Sequence, residues 1–193
     1  MKFLKTLADQ NLQSSTLKQQ LHIHLAGFEK PRSLQITHAS ELTKQDREFC
    51  PREIALILKH KIKRPPEFVC ASMRSTWNIG RAVESMIIHW MADMGVAVSD
   101  WRCRNCNHLH SFTKRPVACG SCGHKNFDPE EPRWKSAVSD ASCGTDVLYD
   151  DGSGKLCIIE IKSMLDEKWI KLDGPIGEHR ARTNLYMRLN CGS

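Results

Sequence analysis

The chain has 193 residues, a formal net charge of +6 and 26% charged residues, which describes a globular, moderately basic protein. It has no run of 18 apolar residues, so a membrane span is not expected. Residues 1–5 lack the apolar core of a signal peptide, so export is not expected either. The nine cysteines, an odd number with several in a metal-binding pattern, favour a reducing, cytoplasmic compartment over a disulfide scaffold.

The N-terminal part of the sequence has helical patterns. Residues 1–38 contain leucines at helical spacing and predict a polar, helical lead. Residues 39–61 predict a pair of helices that meet at Pro51. The basic stretch 59–66, which ends in a double proline, is typical of a solvated turn, and contact with a phosphate backbone is the alternative. We expect the main domain to occupy residues 39–193.

The strongest helical pattern covers residues 79–94, with Thr76 or Asn78 as its cap. Apolar side chains at helical spacing form a stripe along this helix: Val83, Met86, Ile87, Trp90 and Met94. Glu84 lies at the edge of the stripe, because the residues three and four positions later are isoleucines. Such a glutamate is either a surface residue with apolar neighbours or a carboxylate directed into a site, and the sequence leaves both open.

Residues 101–127 contain two Cys-x-x-Cys knuckles. Four thiolates at this spacing are typical of a tetrahedral zinc site, which stabilises a small ribbon. The expected ligands are Cys103, Cys106, Cys119 and Cys122. Iron in the same pocket is the minor alternative. The ribbon is rich in arginine and lysine, so it either binds nucleic acid or braces the fold, and both roles stay open.

A second pattern follows the ribbon, with Asp146 in one apolar stretch and Glu160-x-Lys162 in the next. Residues 156–162 predict a buried strand. Because side chains alternate along a strand, Glu160 and Lys162 share a face. A three-residue turn at 152–154 sets Asp146 opposite Glu160, so a shared site requires an odd-length loop or a bulge. The alternative is a hairpin with a salt bridge from Glu160 to Lys162 on a solvated face.

The last block, residues 175–190, predicts a basic helix. Arg182 and Tyr186 are four residues apart and lie on one face. Leu185 and Leu189 provide the packing side. The alternative is an ordinary basic helix end without a binding role.

The order of these patterns resembles the PD-(D/E)XK nuclease superfamily. The matching motifs are, in chain order, Gly80-x-x-x-Glu84, Asp146, Glu160-x-Lys162 and Arg182-x-x-x-Tyr186. Within the superfamily the chain is most similar to the RecB-like branch, which includes CRISPR-adaptation and phage exonucleases. The Ser-containing segment that leads to Phe49-Cys50-Pro51-Arg52 also resembles the start of that branch. The resemblance covers residues 39–190, and its motifs are specific as a set rather than singly.

The resemblance implies an α/β fold with a central mixed sheet flanked by helices, into which the zinc ribbon is inserted. It implies that Glu84, Asp146 and Glu160 bind Mg²⁺ or Mn²⁺ together with the backbone carbonyl of Ile161. Lys162 would orient or activate the attacking water, while the metal would polarise the scissile phosphate. These residues would form the catalytic centre of a phosphodiester hydrolase.

The same resemblance places Arg182 and Tyr186 where relatives carry Gln-x-x-x-Tyr, a motif that contacts DNA, and Arg180 is a further candidate on that helix. The chain departs from the family in having this arginine, and in having Thr145 where the name motif has proline. Iron–sulfur members carry three more cysteines after this helix, whereas this chain has only Cys191 there. An iron–sulfur cluster is therefore not expected.

The leading hypothesis is a metal-dependent DNA nuclease, an exonuclease or an enzyme that processes ends or branches, in DNA replication, recombination or repair. Its expected partners are DNA and other replication or recombination proteins, and its resemblance to phage exonucleases is compatible with a phage-encoded protein in the host cytoplasm. One alternative is a non-catalytic zinc-ribbon protein that binds nucleic acid on a nuclease-like scaffold. Another is a structural subunit of a replication or recombination complex.

Overall fold

The computed structural model describes residues 17–29, 37–38, 42–43, 50–62, 65–135, 141–164 and 169–190. Its helices are α1 (Leu17–Leu25), α2 (Pro51–His60), α3 (Ala71–Asp93) and α4 (Gly177–Asn190). Its strands are β1 (Gly27–Phe28), β2 (Thr37–His38), β3 (Phe68–Val69), β4 (Ala97–Cys103), β5 (Leu109–Thr113), β6 (Phe127–Glu130), β7 (Arg133–Lys135), β8 (Ala141–Gly144), β9 (Val147–Asp150) and β10 (Leu156–Ile159). Within these ranges, no helix has the length and apolar character needed to cross a membrane.

The chain divides into two compact units. The first comprises residues 1–33 and 63–82, and the second comprises residues 34–62 and 83–193. The expected metal-binding and catalytic side chains all belong to the second unit. The predicted domain boundary after residue 38 stays a prediction.

The first unit contains a short antiparallel pair formed by β1 and β3. Phe28 and Phe68 pack edge to face across it, with ring centroids 5.5 Å apart. Arg74 donates to the carbonyl oxygen of Leu25 over 3.0 Å and forms an ion pair with Glu29. Helix α1 agrees with the helical prediction over Leu17–Leu25, whereas β1 and β2 are strands within the predicted lead. Residues 1–16 and 30–36 lie outside the described part.

The strands of the second unit form two separate sheets. The larger runs in the order β10-β9-β4-β5, with β6 also paired to β4, and all of its pairs are antiparallel. The smaller runs β2-β8-β7 and contains the parallel pair, β2 with β8. The mixed α/β class is confirmed. Among the described residues, however, the expected single central mixed sheet is replaced by small, mostly antiparallel sheets, because parallel pairing is confined to β2 and β8.

Strand β4 connects the cysteine ribbon to the hairpin formed by β9 and β10. Its first two residues pair with β9, and its last four pair with β6 of the ribbon. Trp101, in the middle of β4, is fully buried, and its Nε1 donates to the carbonyl oxygen of Thr113 on β5 over 3.0 Å. The ribbon and the hairpin are therefore held in register by one continuous strand.

Side chains from the ribbon, helix α3 and the hairpin meet in one apolar cluster. Its buried members are Ile88, Ala97, Trp101, Cys103, Cys119, Phe127 and Val147. Ile159 and Ile161 of the hairpin pack against it. A second cluster contains Tyr186 of α4, with Leu185 and Leu189 beside it, which confirms the predicted packing side of that helix.

Helix α3 begins at Ala71, eight residues before the predicted start at residue 79. The predicted caps were wrong, because Thr76 and Asn78 lie inside the helix, and the Thr76 hydroxyl donates to the carbonyl of Ser72 over 3.1 Å. Residues 71–78 contain neither glycine nor proline, so the helix continues through them although their apolar periodicity is weak.

The apolar stripe predicted along α3 was also wrong in part. Met86, Trp90 and Met94 are 43%, 57% and 72% exposed, while Ile88 is buried in the core. The face that packs on β4 is therefore the one that carries Ile88 and, one turn earlier, Glu84. This places Glu84 on the inward side of the helix rather than at its edge.

The other helices differ from the predictions only in their bounds. Helix α2 begins at Pro51 with Cys50 at its N-cap, and most of the helix predicted before it falls on residues 39–41 and 44–49, outside the described residues. Helix α4 begins at Gly177, two residues after the predicted start.

Strand β10 is shorter and more exposed than predicted. It ends at Ile159, and Leu156 is 52% exposed. The reason is its position at the edge of the larger sheet, where one side lacks a neighbouring strand among the described residues.

Replacing Trp101 by alanine should lower the free energy of unfolding by about 3–5 kcal/mol, because it removes a fully buried indole and its hydrogen bond from the centre of the core. Chemical denaturation in zinc-containing buffer measures the change. The matched control is Trp90→Ala, since Trp90 is 57% exposed. Equal losses in the two variants would contradict the central position of Trp101.

Candidate active site and metal centre

The four predicted zinc ligands are gathered at one end of the ribbon. The sulfur atoms of Cys103, Cys106, Cys119 and Cys122 all lie within 4.8 Å of one another. Two of the pairs, Cys103 with Cys122 and Cys106 with Cys119, are 3.6 Å apart. Zn–S bonds of about 2.3 Å in a tetrahedron place sulfurs roughly 3.8 Å apart. The cluster therefore fits a metal such as zinc.

The backbone of the two knuckles repeats the same turn. Asn107 donates its N–H to the carbonyl of Cys103 over 3.0 Å, and Gly123 donates to the carbonyl of Cys119 over 2.8 Å. Both donors have left-handed backbone angles, with φ of 58° at Asn107 and 73° at Gly123. Asparagine and glycine are the residues that adopt this conformation at low cost. Asn107 is thus a structural residue of the metal centre that the cysteine spacing alone did not reveal.

The β9–β10 hairpin has the register that the sequence predicts. Leu156 lies opposite Asp150 and Ile159 opposite Val147, with a five-residue turn of odd length between the strands. One step further along the same register, Asp146 lies across from Glu160. The predicted register and the odd length of the loop are therefore confirmed, whereas the turn has five residues rather than the predicted three.

Asp146 and Glu160 form a buried pair of carboxylates with Lys162. The two acidic side chains are 9% and 10% exposed, and Lys162 is 33% exposed. The Lys162 ammonium lies 2.8 Å from Glu160 Oε1 and 3.5 Å from Asp146 Oδ2. Burial, and then the charge of Glu160, raise the pKa of Asp146. Burial alone would lower the pKa of Lys162, but its hydrogen bond to Glu160 and the charge of Asp146 raise it.

Backbone groups hold this cluster in position. The N–H of Ile161 donates to Asp146 Oδ2 over 2.6 Å. The carbonyl oxygen of Ile161 accepts a hydrogen bond from Lys162 Nζ over 3.1 Å. Thr145, fully buried beside Asp146, donates from its hydroxyl to the carbonyl of Ile159 over 2.9 Å. Both ends of the hairpin are thus tied together at the point where the charges lie.

Glu84 approaches the same cluster from helix α3. Burial, and then the negative charges of Asp146 and Glu131, raise the pKa of Glu84 from 4.5 to about 7. Lys162 acts in the opposite direction. The half-buried carboxylate of Glu84 is therefore electrostatically coupled to the hairpin site. This coupling favours the inward orientation of Glu84 over the surface alternative.

The three carboxylates are not arranged as a closed ligand set. Among the described residues, the four cysteines are the group of three or more side chains with ligand atoms close enough together to hold a metal ion. Glu84, Asp146 and Glu160 do not form such a group, and the Lys162 ammonium bridges two of them. Their shared role in binding Mg²⁺ or Mn²⁺ stays a prediction.

Arg182 faces the carboxylates. Its guanidinium lies 3.7 Å from Glu160 Oε1 and donates to Glu178 Oε1 over 2.5 Å. Tyr186 is 6% exposed and packs edge to face against Trp134. Burial raises the pKa of the Tyr186 phenol. In this arrangement Arg182 and Tyr186 make contacts within the protein. Their contact with DNA stays a prediction, as does that of the exposed Arg180.

Two further acidic residues belong to the site and were missed. Glu178 pairs with Arg182 at i,i+4 spacing, which the sequence signals directly. Glu131 follows β6, and its charge acts on Glu84. No local sequence pattern predicts that Glu131 lies near Glu84. Their proximity depends on the path of the chain after β6.

Comparison of the chain with known protein families, with curated proteins and with solved structures found no match.

Removing one cluster cysteine should release the metal. We expect Cys122→Ala to lose bound zinc and to lower the melting temperature by about 10 °C, because the ribbon depends on its metal for stability. Elemental analysis and thermal denaturation measure both effects. The control is Cys157→Ala, an exposed cysteine on β10. Unchanged zinc content in Cys122→Ala would exclude Cys122 as a ligand.

Replacing Glu84 by glutamine should stabilise the protein at alkaline pH when no divalent cation is added. Folding raises the pKa of Glu84 from 4.5 to about 7, so the folded state holds its proton more tightly and loses stability as pH rises through this window. Solvent screening reduces the effect at this half-buried site, so we expect a gain of about 1 kcal/mol at pH 8 that shrinks toward pH 5.

Urea denaturation at the two pH values, in zinc-containing buffer, measures this gain. Glu67→Gln serves as the control, because Glu67 is exposed and outside the site. A gain of the same size at both pH values would show that the charge of Glu84 is not its source.

Proposed function

We propose that this protein is a metal-dependent DNA nuclease with a PD-(D/E)XK core and an inserted zinc ribbon. The observation that carries the proposal is the buried cluster of Asp146, Glu160 and Lys162, which the hairpin register brings together. Buried like charges are costly, and such perturbed groups cluster at functional sites. A hairpin that needed only a surface salt bridge has no reason to bury two carboxylates.

The donor atoms of the cluster suit Mg²⁺ or Mn²⁺, which prefer oxygen ligands. The candidate ligands are the carboxylates of Glu84, Asp146 and Glu160 and the carbonyl of Ile161. Glu160 Oε2 is buried and has no hydrogen-bond partner among the described residues, so it has free capacity for a ligand bond. A divalent ion held there supplies Lewis-acid activation of a phosphodiester and of a water molecule.

The protein's own side chains would prepare the reaction. Lys162 holds its ammonium beside both carboxylates and is the group best placed to orient a water or to offset charge on a phosphate oxygen. Arg182 lies 3.7 Å from Glu160 and would offset part of the negative charge there. Glu84 has a pKa of about 7 in the metal-free site, so binding of a divalent ion to its carboxylate would release a proton near neutral pH.

The substrate that fits this chemistry is DNA, and the net charge of +6 favours association with a polyanion. We propose an exonuclease or an enzyme that processes ends or branches, working with other replication or recombination proteins. The basic ribbon would then contribute to binding the nucleic-acid backbone.

A second candidate function is a non-catalytic nucleic-acid-binding protein on the same scaffold. The observation that favours it is the pairing of both buried carboxylates with cations of the chain itself, Lys162 and Arg182. In such a protein these ion pairs would serve stability alone. Binding of DNA without cleavage in the presence of Mn²⁺ distinguishes this candidate.

Lys162→Ala should lower the rate of DNA cleavage in Mn²⁺ by about 100-fold or more, because the variant loses the cation that orients the reacting groups. The measurement is digestion of end-labelled single-stranded and double-stranded DNA. Lys155→Ala is the matched control, since Lys155 is an exposed lysine in the hairpin turn, just before β10, whereas Lys162 follows β10. If Lys162→Ala cleaves like the control, Lys162 has no part in the reaction.

A further inference from the structure

A cavity of about 540 Å³ opens beside Lys162. It lies between the segment that follows the hairpin and the start of helix α4. Its lining residues are Lys162, Ser163, Met164, Lys171, Leu172, Ile176 and His179. Its volume falls within the range of pockets that bind small molecules and cofactors.

The polar part of the lining favours an anion. Two lysines, Lys162 and Lys171, and His179 are among the residues that line the cavity, and among the described residues no aspartate or glutamate lines it. The first turn of α4 also borders it, and N–H groups there lack partners within the helix. A phosphate is the anion that these donors suit best.

Apart from Ser163, the remaining lining residues are apolar: Met164, Leu172 and Ile176. A free phosphate makes no favourable contact with an apolar surface, whereas the face of a nucleobase packs against one. In duplex DNA the bases are stacked inside the helix, so only an unpaired nucleotide can place its base in a pocket. An exposed indole, Trp169, stands two residues before Lys171 in the same segment and offers a further stacking surface.

The cavity is continuous with the candidate active site through one side chain. Lys162 lines it and at the same time contacts Glu160 over 2.8 Å. A nucleotide in the cavity would therefore lie next to the carboxylates.

We propose, resting on the nuclease function above, that this pocket holds one unpaired nucleotide of the substrate strand beside the phosphate that is cut. Its phosphate lies against Lys171 and His179, and its base lies on Leu172 and Ile176. The pocket thereby selects single-stranded ends over intact duplex.

The test measures, by fluorescence anisotropy, the binding of a labelled oligothymidylate and of a blunt duplex of the same length. The full chain is used with zinc bound and without Mg²⁺ or Mn²⁺, so that no cleavage interferes. We expect Lys171→Ala to weaken binding of the single strand about fivefold, and Ile176→Ala to do the same by removing apolar surface. Binding of the duplex should change less than twofold in both variants.

The charge-matched control is Lys155→Ala, which should leave both affinities unchanged. The inference is wrong if Lys171→Ala and Lys155→Ala weaken binding of the single strand equally. It is also wrong if Lys171→Ala lowers the affinity for the single strand and for the duplex by the same factor. Addition of deoxythymidine monophosphate or inorganic phosphate as competitors separates base from phosphate binding. Equal competition by the two compounds would show that the base is not bound, and this result also overturns the inference.

Failure of the pocket and failure of the nuclease proposal give different results. Cleavage by the wild-type chain in Mn²⁺, together with identical binding by Lys171→Ala and Lys155→Ala, rejects the pocket alone. Absence of cleavage together with the expected loss in Lys171→Ala rejects the nuclease activity and supports the pocket as a nucleotide-binding site.

Discussion

The burial of two carboxylates side by side is the constraint on which the candidate site depends. Asp146 and Glu160 are about one-tenth exposed, and like charges at this proximity oppose each other's ionisation. They are tolerated because Lys162 lies between them and Arg182 approaches from α4. A protein that retains such a cluster at the end of a hairpin pays for it in stability, which is expected of a functional site rather than of a structural one.

The ribbon and the hairpin form a single mechanical unit. Strand β4 gives its last residues to the ribbon sheet and its first residues to β9. Two of the four cysteines belong to the same buried cluster as Val147, the residue that follows Asp146. A metal bound by the four cysteines would therefore stabilise the strand with which the hairpin pairs. In this view the ribbon braces the β9–β10 hairpin.

The features that depend on local chemistry were predictable from the sequence. Cysteine spacing predicted the ligand cluster, and side-chain alternation with an odd-length turn predicted the hairpin register. The buried face of α3 was not predictable from the sequence. Packing against β4 buries Ile88 and leaves Met86 and Trp90 exposed. The ion pairs of Arg182 did not follow from the family resemblance, which implies contact with DNA at that position, although Glu178 lies four residues earlier. Glu131 and the sheet arrangement depend on contacts between distant segments, which periodicity does not encode.

The central claim is that Asp146 and Glu160 form a divalent-metal site. Anomalous diffraction from a crystal soaked in Mn²⁺ tests it most directly. The account predicts a manganese peak within about 2.2 Å of carboxylate oxygens of both residues, with the Lys162 ammonium displaced from between them. Saturating Mn²⁺ that leaves no peak at this pair, with Lys162 still bridging the two carboxylates, would contradict it.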